Sequence, residues 1–114
     1  RALYAVGLAL ADTEHAALVH LGIGSTSDGA FHEALNLAGL LKPTVIFLVA
    51  VHPLTGDAPV GPQLAASPSA LAKAHGLATT TVSGSSAEAV EHAVAAALKQ
   101  RGPHLIEATL ESPS

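Results

Sequence analysis

The sequence predicts an α/β fold, in which helices and a mostly parallel sheet form a three-layer sandwich. Short apolar or β-branched runs alternate with longer segments whose apolar residues recur at helical spacing. Glycine and proline residues punctuate these segments. A chain of 114 residues is the size of one domain. We therefore expect a single domain over 1–114, built from βαβ units with right-handed crossovers.

The first half of the chain predicts two helices and two strands. Residues 1–11 are apolar on most sides, which is typical of a buried helix. Ser27 or Asp28 can cap the second helix, and Pro43 ends it. The run after Pro43 is continuous and β-branched, as in a strand covered on both faces. The predicted elements are helix Arg1–Ala11, strand Ala17–Leu21, helix Gly29–Lys42 and strand Thr44–Val51.

The second half begins with an irregular stretch and then resumes the alternation. Residues 52–66 contain several glycines and prolines and have no apolar period. Ser85 and Glu88 have the spacing of a capping box, and Gly102-Pro103 terminates the helix that follows it. The predicted elements are helix Ser67–His75, strand Thr79–Val82, a helix carrying the stripe from Val90 to Leu98, and strand His104–Leu110.

The composition excludes several classes of function. The net charge is −4, with five Lys and Arg residues in all, which argues against nucleic acid or an anionic membrane as a partner. The absence of Cys excludes thiol catalysis and Cys-based zinc sites. No apolar run approaches the roughly 20 residues of a membrane-spanning helix, and no signal peptide is visible. We expect a cytoplasmic protein, and the lack of any Met suggests a fragment or a processed product.

The low charge also predicts association. Only 12% of the residues are charged, against roughly 25% in average soluble domains. Part of the surface is therefore expected to lie in a permanent interface, because obligate interfaces resemble a divided core. Richness in alanine is the alternative explanation, since alanine tolerates exposure.

The glycine-rich turn after the first strand is the candidate binding site. In open α/β sheets, ligands lie beyond the carboxyl ends of the strands. The glycines permit close approach of the backbone, and amide groups near the helix start favour an anion. No nucleophile with a base can be identified, and His52 is the one histidine of seven that we expect near a pocket. The predicted cofactor-binding residues are Gly22, Gly24, Ser25, Thr26 and His52, with no catalytic residue and no metal ligand.

Three segments together resemble a known family. Residues 22–36 read GIGSTSDGAFHEALN, residues 45–52 read VIFLVAVH, and residues 102–108 read GPHLIEA. They resemble the thiamine-diphosphate motif and the later Gly-Pro-x-Leu-Ile-Glu-Ala segment of the alpha subunits of 2-oxo acid dehydrogenases, the E1 component. The resemblance covers nearly all of this chain but only the middle of a typical subunit. It implies a truncated thiamine-diphosphate-binding fold and a beta-type partner subunit.

The chain departs from this family at the positions that hold the cofactor. The family motif opens with Gly-Asp-Gly and closes with Asn-Asn, and its Asp and second Asn bind Mg²⁺. Here Ile23 replaces the Asp, and Val51-His52 replaces Asn-Asn. Mg²⁺ requires oxygen ligands, whereas isoleucine and valine offer none and histidine is a nitrogen ligand for softer metals. We therefore expect no cofactor, with thiamine diphosphate and Mg²⁺ as the alternative.

Three functions remain open from the sequence. The first is a degenerate E1-alpha-like domain with a structural or regulatory role, acting through a homo-oligomer or a beta-type E1 subunit. The second is an active alpha-type subunit, which would decarboxylate a 2-oxo acid and pass the acyl group to a lipoyl group. The third is a small-anion binding module that keeps the glycine-rich turn.

Overall fold

The computed structural model describes residues 2–22, 29–51, 54–55, 58–59 and 67–110. Helices and strands alternate through these residues as the sequence predicts. The elements are α1 (Ala2–Ala11), β1 (Ala17–Gly22), α2 (Gly29–Leu41), β2 (Val45–Val51), β3 (Leu54–Thr55), β4 (Ala58–Pro59), α3 (Pro68–Ala74), β5 (Ala78–Ser83), α4 (Ala87–Gln100) and β6 (His104–Thr109).

The main sheet has four strands in the order β1-β2-β6-β5, and every neighbouring pair is parallel. The chain moves across the sheet in one direction from β1 to β2 to β5, and then returns from β5 to β6. Right-handed crossovers place the connecting helices on one face during the forward steps and on the other during the return. Hence α2 and α3 lie on one face with α1, and α4 lies on the opposite face. The three-layer α/β prediction is confirmed.

The larger core lies between the sheet and the helices α1, α2 and α3. Phe31 of α2 packs against Phe47 of β2 with ring centroids 6.2 Å apart in an edge-to-face arrangement. The buried side chains of α1 are small, which lets that helix approach the sheet closely. The members of this core are Ala2, Ala5, Val6, Ala9, Val19, Leu21, Phe31, Ala34, Leu35, Ala38, Val45, Phe47, Val49, Ala72, Leu77 and Leu105.

A smaller core lies on the opposite face, under α4. Ile46 and Ile106 project from the two central strands and meet Ala93 and Ala97 of α4. At the β1 end of this face, Leu18 is 55% exposed and lines an open groove with Val94 and Leu98 of α4.

Two local predictions were wrong. Residues 52–66 were expected to be irregular, yet β3 and β4 pair antiparallel within that stretch; two-residue strands are too short to show any apolar period. The helix cap was placed at Ser85, but the cap of α4 is Ser86, whose hydroxyl accepts from the Ala89 amide at 3.1 Å. The caps predicted for α2, Ser27 and Asp28, lie outside the described residues.

His104 is a strand residue buried beneath α4. The side chain is 4% exposed, and Nε2 lies 2.8 Å from Oγ1 of Thr80 on the neighbouring strand. Nδ1 has no hydrogen-bond partner among the described residues. Because charging this ring inside the protein is unfavourable, burial lowers the pKa of the His104 imidazole below its usual value.

This burial makes stability depend on pH in a predictable direction. His104 binds a proton less readily in the folded chain than in the unfolded chain. Its contribution to stability is therefore fully present above about pH 6.5, the pKa of an unfolded histidine, and is lost as the pH falls below it. We expect His104→Asn to show a smaller loss of unfolding free energy between neutral and mildly acidic pH, measured by urea denaturation. Equal losses in the two proteins would contradict this, since the other histidines are common to both.

Candidate functional site

The candidate site lies at the carboxyl ends of the parallel strands. Gly22 at the end of β1 pairs in register with Ala50 of β2, which in turn pairs with Ala108 of β6. Ser83 and Thr109 end the other two strands. This is the edge of an α/β sheet where ligands bind. The fold therefore places these strand ends side by side, and the predicted site residues adjoin them in the sequence.

Of the predicted cofactor-binding residues, Gly22 is described and is exposed. A Cβ atom built at Gly22 meets nothing within 4 Å. Nothing in the described chain therefore requires a glycine at this position, and its role in approaching a ligand stays a prediction. The other predicted site residues lie outside the described part of the chain; they are Gly24, Ser25, Thr26 and His52.

The described strand ends offer little for a hard cation. Val51 is half-buried at the end of β2, and its hydrocarbon side chain supplies no ligand. The hydroxyl groups of Ser83 and Ser85 lie 2.9 Å apart and bond to each other. Within the described ranges, no group of three His, Cys, Asp or Glu side chains is placed to hold a metal ion.

Glu107 is a half-buried acidic residue near the same edge, and sequence reasoning assigned it no role. It lies on β6 in register with Val49 and Thr81. Its Oε1 accepts hydrogen bonds from the Ser69 amide at 3.3 Å and from the Ser69 hydroxyl at 3.0 Å. The carboxylate thereby holds the first turn of α3 against the sheet. The available signal was an acid between the apolar residues Ile106 and Ala108 of a strand, since such a side chain needs a partner when it is buried.

Removing this carboxylate is expected to loosen the start of α3. In Glu107→Ala, the Ser69 amide and hydroxyl lose their acceptor in a half-buried place, which we expect to lower the free energy of unfolding by about 1–2 kcal/mol. Glu107→Gln keeps an acceptor oxygen and should lose less than half as much. Urea denaturation of both variants tests this, and equal losses would show that the two hydrogen bonds contribute little.

Within the described residues, no helix has the length and hydrophobicity needed to span a bilayer.

Comparison with known proteins gives one family. A family model described as "Dehydrogenase E1 component" matches residues 3–110. A protein of Mycobacterium tuberculosis named 3-methyl-2-oxobutanoate dehydrogenase subunit alpha is 37% identical, over 93% of this chain and 31% of its own length. The 2-oxoisovalerate dehydrogenase subunit alpha of Bacillus subtilis is 35% identical, over 91% of this chain and 34% of its own. The chain thus spans about a third of the curated relatives that it matches.

Solved structures of larger enzymes share the fold. Transketolase from Campylobacter jejuni superposes with a TM-score of 0.84 at 25% identity, over 95% of this chain and 19% of its own. An enzyme from Mycobacterium smegmatis described as thiamin diphosphate-dependent gives a TM-score of 0.70 at 25% identity, over 95% of this chain and 21% of its own. The described fold is therefore shared with one part of these larger chains.

Proposed function

Because the chain belongs to the family of dehydrogenase E1 components, we propose that it serves as an alpha-type domain of a 2-oxo acid dehydrogenase, together with a beta-type subunit. The two relatives support this role, since both are named as alpha subunits of dehydrogenases. Their two names denote the same branched-chain 2-oxo acid, so branched-chain 2-oxo acids are the substrate class that we infer for an active assembly of this type.

The residues of this chain do not fit Mg²⁺-bound thiamine diphosphate. The resemblance places Ile23 and His52 at the two metal-binding positions, and neither supplies the oxygen ligand that Mg²⁺ requires. The neighbouring Val51 continues strand β2 as a half-buried hydrocarbon. Isoleucine and valine have no donor atom, so these positions would supply no carboxylate or amide oxygen to hold Mg²⁺.

We therefore conclude that the domain keeps the scaffold of an alpha subunit without the usual means of anchoring the cofactor, and that its role is structural or regulatory. The carrying observation is that both positions to which the resemblance assigns metal ligands are replaced, whereas the described residues keep the α/β scaffold. The second candidate is an active alpha-type subunit. The named relatives favour this candidate over the first, because they are dehydrogenase subunits. An active subunit would require residues other than Ile23 and His52 to supply the Mg²⁺ ligands.

Co-expression with a beta-type E1 subunit separates these candidates. We expect the two chains to copurify, and we expect no release of CO₂ from 3-methyl-2-oxobutanoate when thiamine diphosphate and Mg²⁺ are added. Turnover that depends on Mg²⁺ would establish the active subunit instead. Failure to copurify would contradict the alpha-type role itself.

A further inference from the structure

The connection from α4 to β6 holds its backbone in a strained conformation. Arg101 ends α4 with φ of 61° and ψ of 172°. Glycine is almost the only residue that adopts this region, because a Cβ atom there crowds the neighbouring backbone. Gly102 follows with φ of 78°, and the buried His104 comes two residues later. Residues 101–104 are here called the α4–β6 joint.

Three hydrogen bonds hold the joint in place. The Arg101 amide donates to the Ala97 carbonyl at 3.1 Å, and the Arg101 Nη2 donates to the Thr13 carbonyl at 2.9 Å. The Gly102 amide donates to the Thr44 hydroxyl at 3.1 Å. None of these three bonds is part of the parallel ladder of the sheet. They can therefore break while the sheet stays intact.

The His104 side chain is a second unfavourable feature of the joint. Nε2 has the Thr80 hydroxyl as its partner, whereas Nδ1 has none among the described residues. A buried polar atom without a partner costs free energy, because it has given up its hydrogen bond to water. Release of the joint would return Nδ1 to water and let Arg101 leave its strained conformation. Both features thus favour opening at the same place.

The last turn of α4 offers little packing to resist this opening. The helix buries two side chains, Ala93 and Ala97, and both are small. In the described chain, no residue of the helix after Ala97 is buried. Local opening costs least where few apolar contacts are lost. The end of α4 can therefore separate from the sheet before the main core, which contains Phe31 and Phe47, unfolds.

The sheet brings no opposite charge to His104. The neighbouring strands β2 and β5 contain no charged or titratable residue. Glu107 of β6 lies three positions further along the strand, on the opposite face of the sheet, where it accepts from Ser69 of α3. A proton on the buried ring therefore gains nothing from a carboxylate of the sheet.

α4 brings no charge to the buried ring either. The Arg101 guanidinium donates to the Thr13 carbonyl. Glu88 and His92 line an open groove beside Thr80, so water surrounds them. The charged or titratable residues within α4 are all exposed, and they are Glu88, Glu91, His92 and Lys99.

We propose that the α4–β6 joint is an acid-operated switch, in which protonation of His104 releases the joint and the last turn of α4 from the sheet. Burial lowers the pKa of the closed ring, whereas the open ring has the ordinary pKa of about 6.5. The joint is therefore held closed above about pH 6.5, and its opening constant rises by up to about tenfold per pH unit below that value. His104 begins β6, at the opposite end of the strands from the candidate cofactor site, so the switch does not depend on cofactor binding.

Native-state hydrogen exchange, followed by NMR at about pH 7.5 and pH 5.0, tests the switch. The amides to follow are those of Lys99, Gln100 and Arg101, each corrected for its intrinsic exchange rate at that pH. We expect their opening constants to rise by about 10- to 30-fold at the lower pH, because a histidine of pKa about 6.5 then binds its proton only in the open state. Low urea should leave this opening unchanged, since a local opening exposes little new surface. The buried residues Leu35 and Ala38 of α2 should instead respond to urea, as global unfolding does.

Two histidine variants show whether His104 is the group that titrates. His104→Asn should lose the rise in opening at pH 5.0, while it keeps a polar partner for Thr80. His92→Asn is the matched control, because His92 is exposed on the same helix, and it should keep the rise. A rise that survives in His104→Asn, or one that His92→Asn removes, would overturn the proposal. Exchange of the three α4 amides with the same urea slope as α2 would overturn it too.

A second pair of variants tests the strained backbone and leaves His104 unaltered. Arg101→Ala and Arg101→Gly both remove the hydrogen bond to Thr13, but only glycine adopts this conformation without strain. We expect Arg101→Gly to open about fivefold less than Arg101→Ala at both pH values, the lower end of the usual cost of such strain. Equal opening of the two variants would mean that the joint stores no strain, and would overturn it as the place where opening begins.

Discussion

Gly39→Ala is expected to lower the free energy of unfolding by about 3 kcal/mol, the upper end of the usual cost of overpacking. A Cβ atom at Gly39 would clash with the backbone carbonyl oxygen of His75. His75 caps the carboxyl end of α3, and Gly76 follows it in the left-handed region with φ of +87°. Neither backbone can yield without moving α2 away from α3, so the core beneath them would open.

Urea denaturation measures this effect, and the same helix provides its control. Gly29 begins α2, and a Cβ atom there meets nothing within 4 Å. We expect Gly29→Ala to leave the midpoint nearly unchanged. If Gly39→Ala unfolds within about 0.5 kcal/mol of the wild type, the ordinary range for harmless surface changes, the close approach of α2 and α3 is wrong.

Restoring the two metal-binding positions is expected to create cofactor binding. Ile23→Asp with His52→Asn returns an oxygen donor to each position that the resemblance assigns to Mg²⁺. We expect affinity for thiamine diphosphate with Mg²⁺ to rise at least about 100-fold, because even indirect support of a metal ligand is worth 10- to 100-fold. Isothermal titration calorimetry measures this gain.

Two controls test whether the gain in affinity depends on Mg²⁺. Chelating Mg²⁺ with EDTA should abolish the gain, and Ile23→Leu with His52→Asn should not produce it. Equal binding by the double variant and the wild type would mean that the residues around the site can no longer accept the cofactor, even with the metal ligands restored.

Most of the fold was predictable because its signals are local. The β-branched run before Val51 predicted strand β2, and the apolar spacing of residues 31–41 predicted helix α2. Pro43 and Gly76 predicted the ends of α2 and α3, which the structure confirms. The resemblance to the alpha-subunit family is likewise confirmed. The cap of α4 was predicted one residue too early because either of two adjacent serines can cap a helix, and the structure uses Ser86.

The contacts that sequence reasoning missed join distant parts of the chain. Glu107 meets Ser69 across 38 positions, and Gly39 meets His75 only because α2 and α3 lie on the same face of the sheet. No pattern within either segment encodes such a meeting. The candidate cofactor site was predicted through family resemblance, since a lone Gly-x-Gly turn is more typical of a plain structural turn.

The central claim is that this chain keeps the alpha-subunit scaffold without anchoring the cofactor through Mg²⁺. Calorimetric titration of thiamine diphosphate with Mg²⁺ into the unaltered protein tests it most directly. We expect no heat of binding at concentrations of about 1 mM, which would correspond to a free energy weaker than about −4 kcal/mol. Micromolar binding that disappears with EDTA would contradict the claim and show that other ligands replace Ile23 and His52.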